Sequence, residues 1–253
     1  MVLTVSNGHQ TGESFFPHTQ NIWIMNGDGS GQKQLTFDNG KNFNAKVTPD
    51  GRYIVYNSQR GENLNLLRMD LDGGNPRQLT NGTNIDYFDL SPDSRWVIYS
   101  TLGSANLWKL SLDGETAVQL TDYYTVNPRI SPDGKWIACE YQEENDRIRR
   151  TAIIPYNGGK PSKILDLPGG TNNFKWSKDS RSLIFTEIGD SVSDTRDSVG
   201  NLWSFSLDGT SNPQKLTNFN TEGIYKFDWS DDGKNLVLAR GTTVSDVVLI
   251  KNW

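Results

Sequence analysis

Two short phrases alternate along the whole chain, and this repetition limits the fold more than any other feature. The first phrase is ISPDGKWIACE at 130–140, a Ser-Pro-Asp-Gly turn followed by residues that alternate between apolar and polar. Related copies stand at 47–57, 90–100, 176–186 and 229–239, with the turn aspartates at Asp50, Asp93, Asp133, Asp179 and Asp232. Pro fixes φ for a type I turn, and Gly adopts the left-handed conformation before the return strand. Each copy therefore predicts a β-hairpin.

The second phrase is a strand, an Asp-Gly or Gly-Gly turn, and a short strand that ends in Leu-Thr. NLWKLSLDGETAVQLT at 106–121 is typical; further copies stand at 21–36, 63–80 and 201–217, and a degraded copy stands at 150–165. Joined to the first phrase, it gives units of four antiparallel strands, which we name A, B, C and D. No apolar period near that of a helix is sustained, so the pattern favours strands throughout.

Four short strands in every ~40–45 residues are the sequence signature of a β-propeller blade. One four-stranded sheet cannot bury both of its faces, whereas blades that are packed radially cover each other. Trp23, Trp108 and Trp203, at matching strand positions, agree with such packing. We therefore predict an all-β, six-bladed β-propeller of four-stranded antiparallel blades that forms one domain over 1–253. Its blades, called repeats one to six below, are predicted at 2–36, 43–80, 85–121, 125–165, 172–217 and 224–253.

The first and last repeats are incomplete. Repeat one begins with VLTVS, which matches a B strand, and the residues DVVLIKNW at 246–253 match a C strand without a D strand after it. The terminal blades are thus each expected to lack a strand. We expect the natural chain to continue upstream of Met1; the alternative is a slightly incomplete ring that still closes.

The alternation of NLW…LDG…QLT with Ser-Pro-Asp-Gly resembles the WD40-like repeat of the TolB-type propellers over nearly the whole chain. TolB members of that family have six blades, in agreement with the repeat count. The resemblance implies a binding or scaffold module, the sensing part of a larger envelope or regulatory protein, in the bacterial periplasm or another extracytoplasmic location. The ending VSDVVLIKN is also similar to the last strand of propellers fused behind bacterial regulatory or kinase modules. Because many unrelated proteins share the repeat, it specifies the fold rather than the function.

Charge and composition exclude several classes of partner. The chain has 25 Lys and Arg against 30 Asp and Glu, a net charge of −5, whereas nucleic-acid binders carry a basic face. No apolar run approaches the ~18 residues of a membrane helix, and the N-terminus lacks the basic start and apolar core of a signal peptide. We expect a monomer that binds no nucleic acid and does not insert into a membrane. The single cysteine, Cys139, excludes an intrachain disulfide and is expected to be buried in its apolar strand.

Catalytic and metal-binding patterns are missing from the sequence. There is no Gly-x-Ser-x-Gly elbow of a serine hydrolase, and GDGSG at 27–31 reads as a C–D turn because it lacks the Lys and the helix of a phosphate loop. His9 and His18 share one loop without a third ligand. The aspartates of the loop 188–200 lack the alternate spacing of a calcium loop; they are Asp190, Asp194 and Asp197. We predict no catalytic residue, no metal and no cofactor, and therefore no enzyme activity.

Each A strand carries one charged residue, two positions before the turn Ser or Thr. These residues are Lys46, Asp89, Arg129, Lys175 and Asp228. Strand A is the innermost strand of a propeller blade, so the five are predicted to line the central channel as a ring of mixed sign. Either adjacent blades neutralise each other through this ring, or the ring is an electrostatic collar for a ligand or peptide terminus. In the first case Asp89 should pair with Lys46 or Arg129, and Asp228 with Lys175.

The connections between strand D of one repeat and strand A of the next carry aromatic residues, which are our candidate binding residues. They are Tyr87, Tyr123, Tyr124, Phe219 and Tyr225, accompanied by Phe37 and Phe43. These connections emerge on the same face as the B–C loops, of which 6–20 and 188–200 are long, while the Pro-Asp-Gly turns lie on the opposite face. Aromatic residues at such a rim favour a partner interface; alternatively, they fill gaps between blades.

These observations favour a non-catalytic propeller that binds a protein or peptide partner on its loop-rich face. The alternatives are the gating or substrate-binding propeller of a hydrolase and a carbohydrate-active propeller. Neither the ligand nor the compartment is specified by the sequence.

Overall fold

The computed structural model of the protein describes residues 2–7, 19–114, 116–144, 146, 148–165, 167, 173–186, 200–208, 212–230 and 234–241. Within these ranges the regular structure is entirely β, so the predicted all-β class is confirmed. Accordingly, none of the residues described forms a helix that could cross a bilayer. The chain divides into two compact units, one of 1–148 with 152–163 and the other of 149–151 with 164–253.

The strands follow the predicted hairpins. In the first half of the chain they are β1 Val2–Asn7, β2 Thr19–Ile24, β3 Lys33–Gln34, β4 Lys41–Val47, β5 Tyr53–Arg60, β6 Asn63–Asp70, β7 Arg77–Gln78, β8 Ile85–Leu90, β9 Trp96–Thr101, β10 Leu107–Ser111 and β11 Val118–Gln119. They continue as β12 Thr125–Ile130, β13 Trp136–Gln142, β14 Arg149–Pro155, β15 Lys163–Leu165, β16 Phe174–Trp176, β17 Ser182–Thr186, β18 Leu202–Ser206, β19 Gln214–Lys215, β20 Gly223–Trp229 and β21 Leu236–Gly241.

Repeats three, four and five each form one four-stranded sheet whose strands neighbour each other in chain order. Repeats one and two differ from the expected separate sheets, because they join into one seven-stranded sheet. The link is a single parallel bridge between Gln20 and Lys41. The connection from β3 to β4 is only six residues, 35–40, so β4 begins beside β2.

Several predictions from the sequence fall outside the described residues. They are the C strand at 246–253, most of the long loops 6–20 and 188–200, the histidines His9 and His18, and the loop aspartates Asp190, Asp194 and Asp197. Repeat six is described as the two-stranded sheet β20–β21. The number of six blades, the boundaries of the last blade and the manner of closure therefore stay predictions.

The first phrase of the repeat closes its turn by a hydroxyl group. Thr48, Ser91, Ser131 and Ser177 each donate a hydrogen bond of 2.5–2.6 Å to the turn Asp two residues later. The same oxygens accept the backbone N–H of the residue five positions on, at 2.9–3.0 Å. As predicted, the turn then passes through positive φ, at Gly51 and Gly134 or at Ser94 and Ser180.

The second phrase joins strand D to strand C through its Thr. Thr36, Thr80, Thr121 and Thr217 each accept a strand-C backbone N–H through Oγ1, at 2.9–3.0 Å. Three of these hydroxyl groups also donate to the Asn of the NLW or related triplet, namely to Asn21, Asn65 and Asn201. The residues that recur in both phrases are thus used to build the sheets, so functional side chains are to be sought where the repeats differ.

In the first compact unit the core lies between neighbouring sheets. One cluster packs Val55 and Leu66 of repeat two against Phe88, Val97 and Tyr99 of repeat three. A second cluster packs Ile98 and Leu107 of repeat three against Ile137, Cys139 and Ala152 of repeat four, so Cys139 is buried as predicted. Each sheet therefore covers a face of the next, as blades do.

Candidate functional site

The A strands of repeats two, three and four are tied together by one carboxylate. Lys46 on β4 donates from Nζ to Asp89 Oδ1 on β8 at 2.7 Å, and also to the Phe88 carbonyl at 2.9 Å. The other oxygen, Asp89 Oδ2, accepts the backbone N–H of Ile130 on β12 at 2.8 Å. The pairing of Asp89 with Lys46, predicted from the sequence, is present.

The charge state of Asp89 follows from its surroundings. Burial raises the pKa of this carboxyl, but the positive charges of Lys46 and Arg129 and the hydrogen bonds from Lys46 and Ile130 together outweigh burial. The pKa therefore lies below its usual range, and Asp89 is a carboxylate at neutral pH.

The second compact unit contains the other predicted pair. Lys175 Nζ on β16 lies 2.6 Å from Asp228 Oδ2 on β20. Next to it, the indole N–H of Trp229 donates to the Trp176 carbonyl at 2.8 Å. Both predicted ion pairs thus occur, which supports mutual neutralisation of neighbouring A strands; their place around a channel remains a prediction.

A β-bulge precedes the charged residue in each A strand of the first unit. The register with strand B shifts between Phe43 and Lys46, between Ile85 and Phe88, and between Val126 and Arg129. Asn44 and Asn127, within two of these bulges, have positive φ values of 53° and 55°. A bulge changes the direction of the side chains that follow it. The sequence signal for such a bulge was the Asn within it, because Asn tolerates positive φ.

Two of the five candidate aromatic residues are covered by contacts within the protein. The Tyr123 ring packs edge-on against Tyr141, with ring centroids 5.5 Å apart, and its hydroxyl group donates to the Gly159 carbonyl. Burial raises the pKa of Tyr123. In the second unit, the Arg240 guanidinium group lies 3.5 Å from the centre of the Phe219 ring. Tyr123 and Phe219 therefore have a packing role, the alternative that the sequence left open.

Two of the other candidates are more accessible. Tyr87 at the beginning of strand A in repeat three and Tyr225 on β20 are exposed, whereas Tyr124 is half-buried, as Tyr123 and Phe219 are.

The strands of each sheet have two different ends. We call the end that carries the D–A and B–C connections the loop end, and the end that carries the A–B and C–D turns the turn end. At the loop end of the first unit, three apolar side chains are largely exposed: Phe37 at 77%, Leu102 at 60% and Ile148 at 59%. Sequence reasoning noted Phe37 but missed Leu102 and Ile148, because it considered only aromatic residues there. The sequence signal that could have identified these two residues is an apolar residue within a B–C loop.

Among the residues that the structure describes, no three His, Cys, Asp or Glu side chains come together in a group that could hold a metal ion.

Comparison with known proteins gives matches of sequence and of fold. Residues 17–125 match the family model of the TolB β-propeller domain. An uncharacterised protein of Agrobacterium fabrum is 30% identical over 152 residues, covering 54% of this chain and 52% of that protein. Dipeptidyl-peptidase 5 of Porphyromonas endodontalis is 29% identical over 121 residues, covering 44% of this chain and 17% of the peptidase.

Among solved structures, TolB from Acinetobacter baumannii superimposes with a TM-score of 0.68 at 17% identity, covering 86% of this chain and 53% of the TolB chain. The chain therefore spans about half, or less, of the length of these three proteins. At this identity the structural match concerns the fold alone. The repeated four-stranded sheets, the match of residues 17–125 to the family model and the structural match agree, and the chain is similar in fold to the TolB-type β-propellers.

Proposed function

We propose that this propeller is a non-catalytic module that binds a protein or peptide partner at its loop end. The observation that carries the proposal is the exposure of Phe37, Leu102 and Ile148 at that end of the first compact unit. Tyr87, also exposed, lies at the same end. Large apolar side chains in solvent at one end of a module are typical of a surface that a partner covers.

The turns of the turn end offer less exposed apolar surface than the connections of the loop end. These turns are short, and their hydroxyl and carboxylate groups are used within them, as in Ser91 with Asp93 and Ser131 with Asp133. Within the described turns of the first unit Leu71 is the exposed large apolar residue, and Val47 and Val118 are exposed on the strand ends beside them. An apolar partner therefore gains more from the loop end, where burial of each side chain stabilises the complex by ~25 cal/mol per Å² of apolar area.

The experiment compares two substitutions of equally exposed apolar side chains, one at the loop end and one on a strand-D edge. Leu102 in a B–C loop and Val118 on the strand-D edge are both 60% exposed. Leu102→Ser and Val118→Ser are immobilised and used to capture proteins from a lysate of the source cells, beside the wild type. A partner that is retained by Val118→Ser and lost by Leu102→Ser supports the proposal. A partner retained by both variants, or lost by Val118→Ser alone, contradicts it.

The second candidate is the propeller of a peptidase, which would admit or position substrates for a catalytic domain elsewhere in the polypeptide. The match to dipeptidyl-peptidase 5 favours it, with 17% of that protein aligned. A reading frame that extends into a hydrolase domain would support this function. In that case the loop-end residues would contact the attached domain, and Leu102→Ser would change peptide hydrolysis by the full-length protein, whereas Val118→Ser would not.

A further inference from the structure

Four arginines belong to the turn end where repeats two and three meet. They are Arg52, Arg68, Arg77 and Arg95, which approach the C–D turn at 112–114 through their side chains or, for Arg95, through its backbone. Arg68 Nη2 lies 3.8 Å from Asp113 Oδ1, and Arg77 packs so closely over Gly114 that its Nη2 would be 2.6 Å from a Cβ there. The Arg95 carbonyl accepts the Leu112 N–H at 2.9 Å.

Two of these arginines stand directly opposite each other. Arg68 on β6 and Arg77 on β7 are cross-strand partners, an arrangement that is destabilising for like charges. Arg68 is held with its guanidinium group 4.2 Å from the centre of the Tyr53 ring, and its side chain is only 14% exposed. Its Nη1 is closed to solvent and has no acceptor among the described residues.

The junction between repeats three and four shows that packing needs only one cation at the equivalent position. In repeat three the position of Arg68 is taken by Lys109, whose Nζ lies 4.6 Å from the centre of the Trp96 ring and 4.2 Å from that of Tyr156. The cross-strand partner of Lys109 is the neutral Val118. The cation on an aromatic ring is therefore part of the junction itself, whereas Arg77 adds a charge that the junction does not require.

The nearby carboxylates Asp50, Asp70, Asp93 and Asp113 equal the four arginines in number, but their described contacts leave Arg77 unpaired. Asp50 forms an ion pair of 2.5 Å with Arg52, and Asp70 accepts a hydrogen bond from the Asn75 amide group at 2.7 Å. Asp113 is exposed and lies at the limit of an ion pair with Arg68. Within the described ranges, neither Arg77 nor Arg95 forms an ion pair.

We propose that this arginine cluster binds the carboxylate groups of an acidic peptide segment of a partner protein, with Arg77 and Arg68 as its centre. Guanidinium groups bind carboxylates with two parallel hydrogen bonds and good geometric selectivity. Asp113, at the limit of an ion pair with Arg68, is an internal competitor that the acidic segment displaces. This site lies at the opposite end of the strands from the surface of the proposed function and is independent of it.

The test uses fluorescence anisotropy with a labelled Glu-Gly repeat peptide, and a Lys-Gly repeat peptide as the probe of opposite charge. The wild type should bind the acidic peptide and not the basic one, with weaker binding at higher salt. Arg77→Gln should weaken binding about tenfold or more, the effect expected for loss of a hydrogen bond between charged groups. Asp113→Asn should strengthen binding, since it removes the competitor.

Arg181 provides the matched control. It is an exposed arginine that follows the turn aspartate of repeat five by two residues, as Arg95 follows Asp93 in repeat three. Arg181→Gln removes the same charge elsewhere and should leave binding unchanged. Equal weakening by Arg181→Gln and Arg77→Gln, weaker binding by Asp113→Asn, or no binding by the wild type would overturn the proposal. So would tighter, Arg77-dependent binding of inorganic phosphate, which would identify a phosphate group as the ligand instead.

Discussion

Lys46 and Asp89, on the A strands of two neighbouring repeats, form an ion pair of 2.7 Å whose carboxylate also accepts a backbone N–H from a third repeat. The equivalent pair of Lys175 and Asp228 is 2.6 Å long. The two pairs differ in burial, because the Asp89 side chain is 20% exposed and that of Asp228 is 63% exposed. This difference makes their contributions to stability separable.

Asp89→Asn should therefore destabilise the protein more than Asp228→Asn does. Loss of the carboxylate leaves Lys46 partly buried without a counter-charge, so the cost should approach the about 3–5 kcal/mol of a broken buried pair. Asp228→Asn, which removes an exposed carboxylate, should lower the free energy of unfolding by about 0–1 kcal/mol. Urea titrations of both variants measure the free energies of unfolding. Equal effects would show that burial of the Lys46–Asp89 pair does not matter.

Acid should remove the contribution of the Asp89 carboxylate to the free energy of unfolding. Its pKa in the folded protein lies below the usual value of 3.8, so its stabilisation is present above that value and is lost as the pH falls through the lower, folded pKa. Thr48 and Arg52 lower the pKa of Asp50 to about 2, in the same direction. The difference in free energy of unfolding between the wild type and Asp89→Asn should shrink as the pH falls below about 4. A difference that is constant or grows on acidification would contradict the assigned charge state.

Ser131→Ala should weaken the turn of repeat four. The hydroxyl group of Ser131 donates to Asp133 and accepts the Trp136 N–H, so the substitution removes two hydrogen bonds and should cost about 1–3 kcal/mol. Ser131→Thr is the matched control, because Thr48 makes the same two contacts in repeat two. Thermal unfolding of both variants checks this; a Thr variant as unstable as the Ala variant would show that the hydroxyl group is not the cause.

Particular residues show how much of this fold could be predicted from the sequence. Turns such as Asp133-Gly134 have a chemical signature, and equivalent positions in neighbouring repeats come side by side, so the hairpins and the pairing of Asp89 with Lys46 followed from the pattern. The bulge at Asn127 did not follow from the pattern, because the residues before and after the extra residue still alternate between apolar and polar. The exposure of Leu102 could not be predicted either, because no periodicity assigns a side to a loop residue.

The packing of Tyr123 gives a further expectation, because the sequence grouped it with Tyr87 as a binding residue. Tyr123 contacts Tyr141 and Gly159, whereas Tyr87 is exposed. Tyr123→Ala should lower the free energy of unfolding by about 2 kcal/mol or more, since it removes buried aromatic area and a hydrogen bond. Tyr87→Ala should leave stability within about 0.5 kcal/mol of the wild type. Chemical denaturation checks both values, and a Tyr87 variant as unstable as the Tyr123 variant would be contrary to the described packing.

Hydrogen exchange with and without the captured partner shows whether the partner covers the loop end. We expect slower backbone amide exchange at the loop end, around 37–41, 60–63 and 101–106. Exchange at the turns around 48–52, 91–95 and 131–135 should not change. Protection confined to those turns, with the loop end unaffected, would contradict the proposed function.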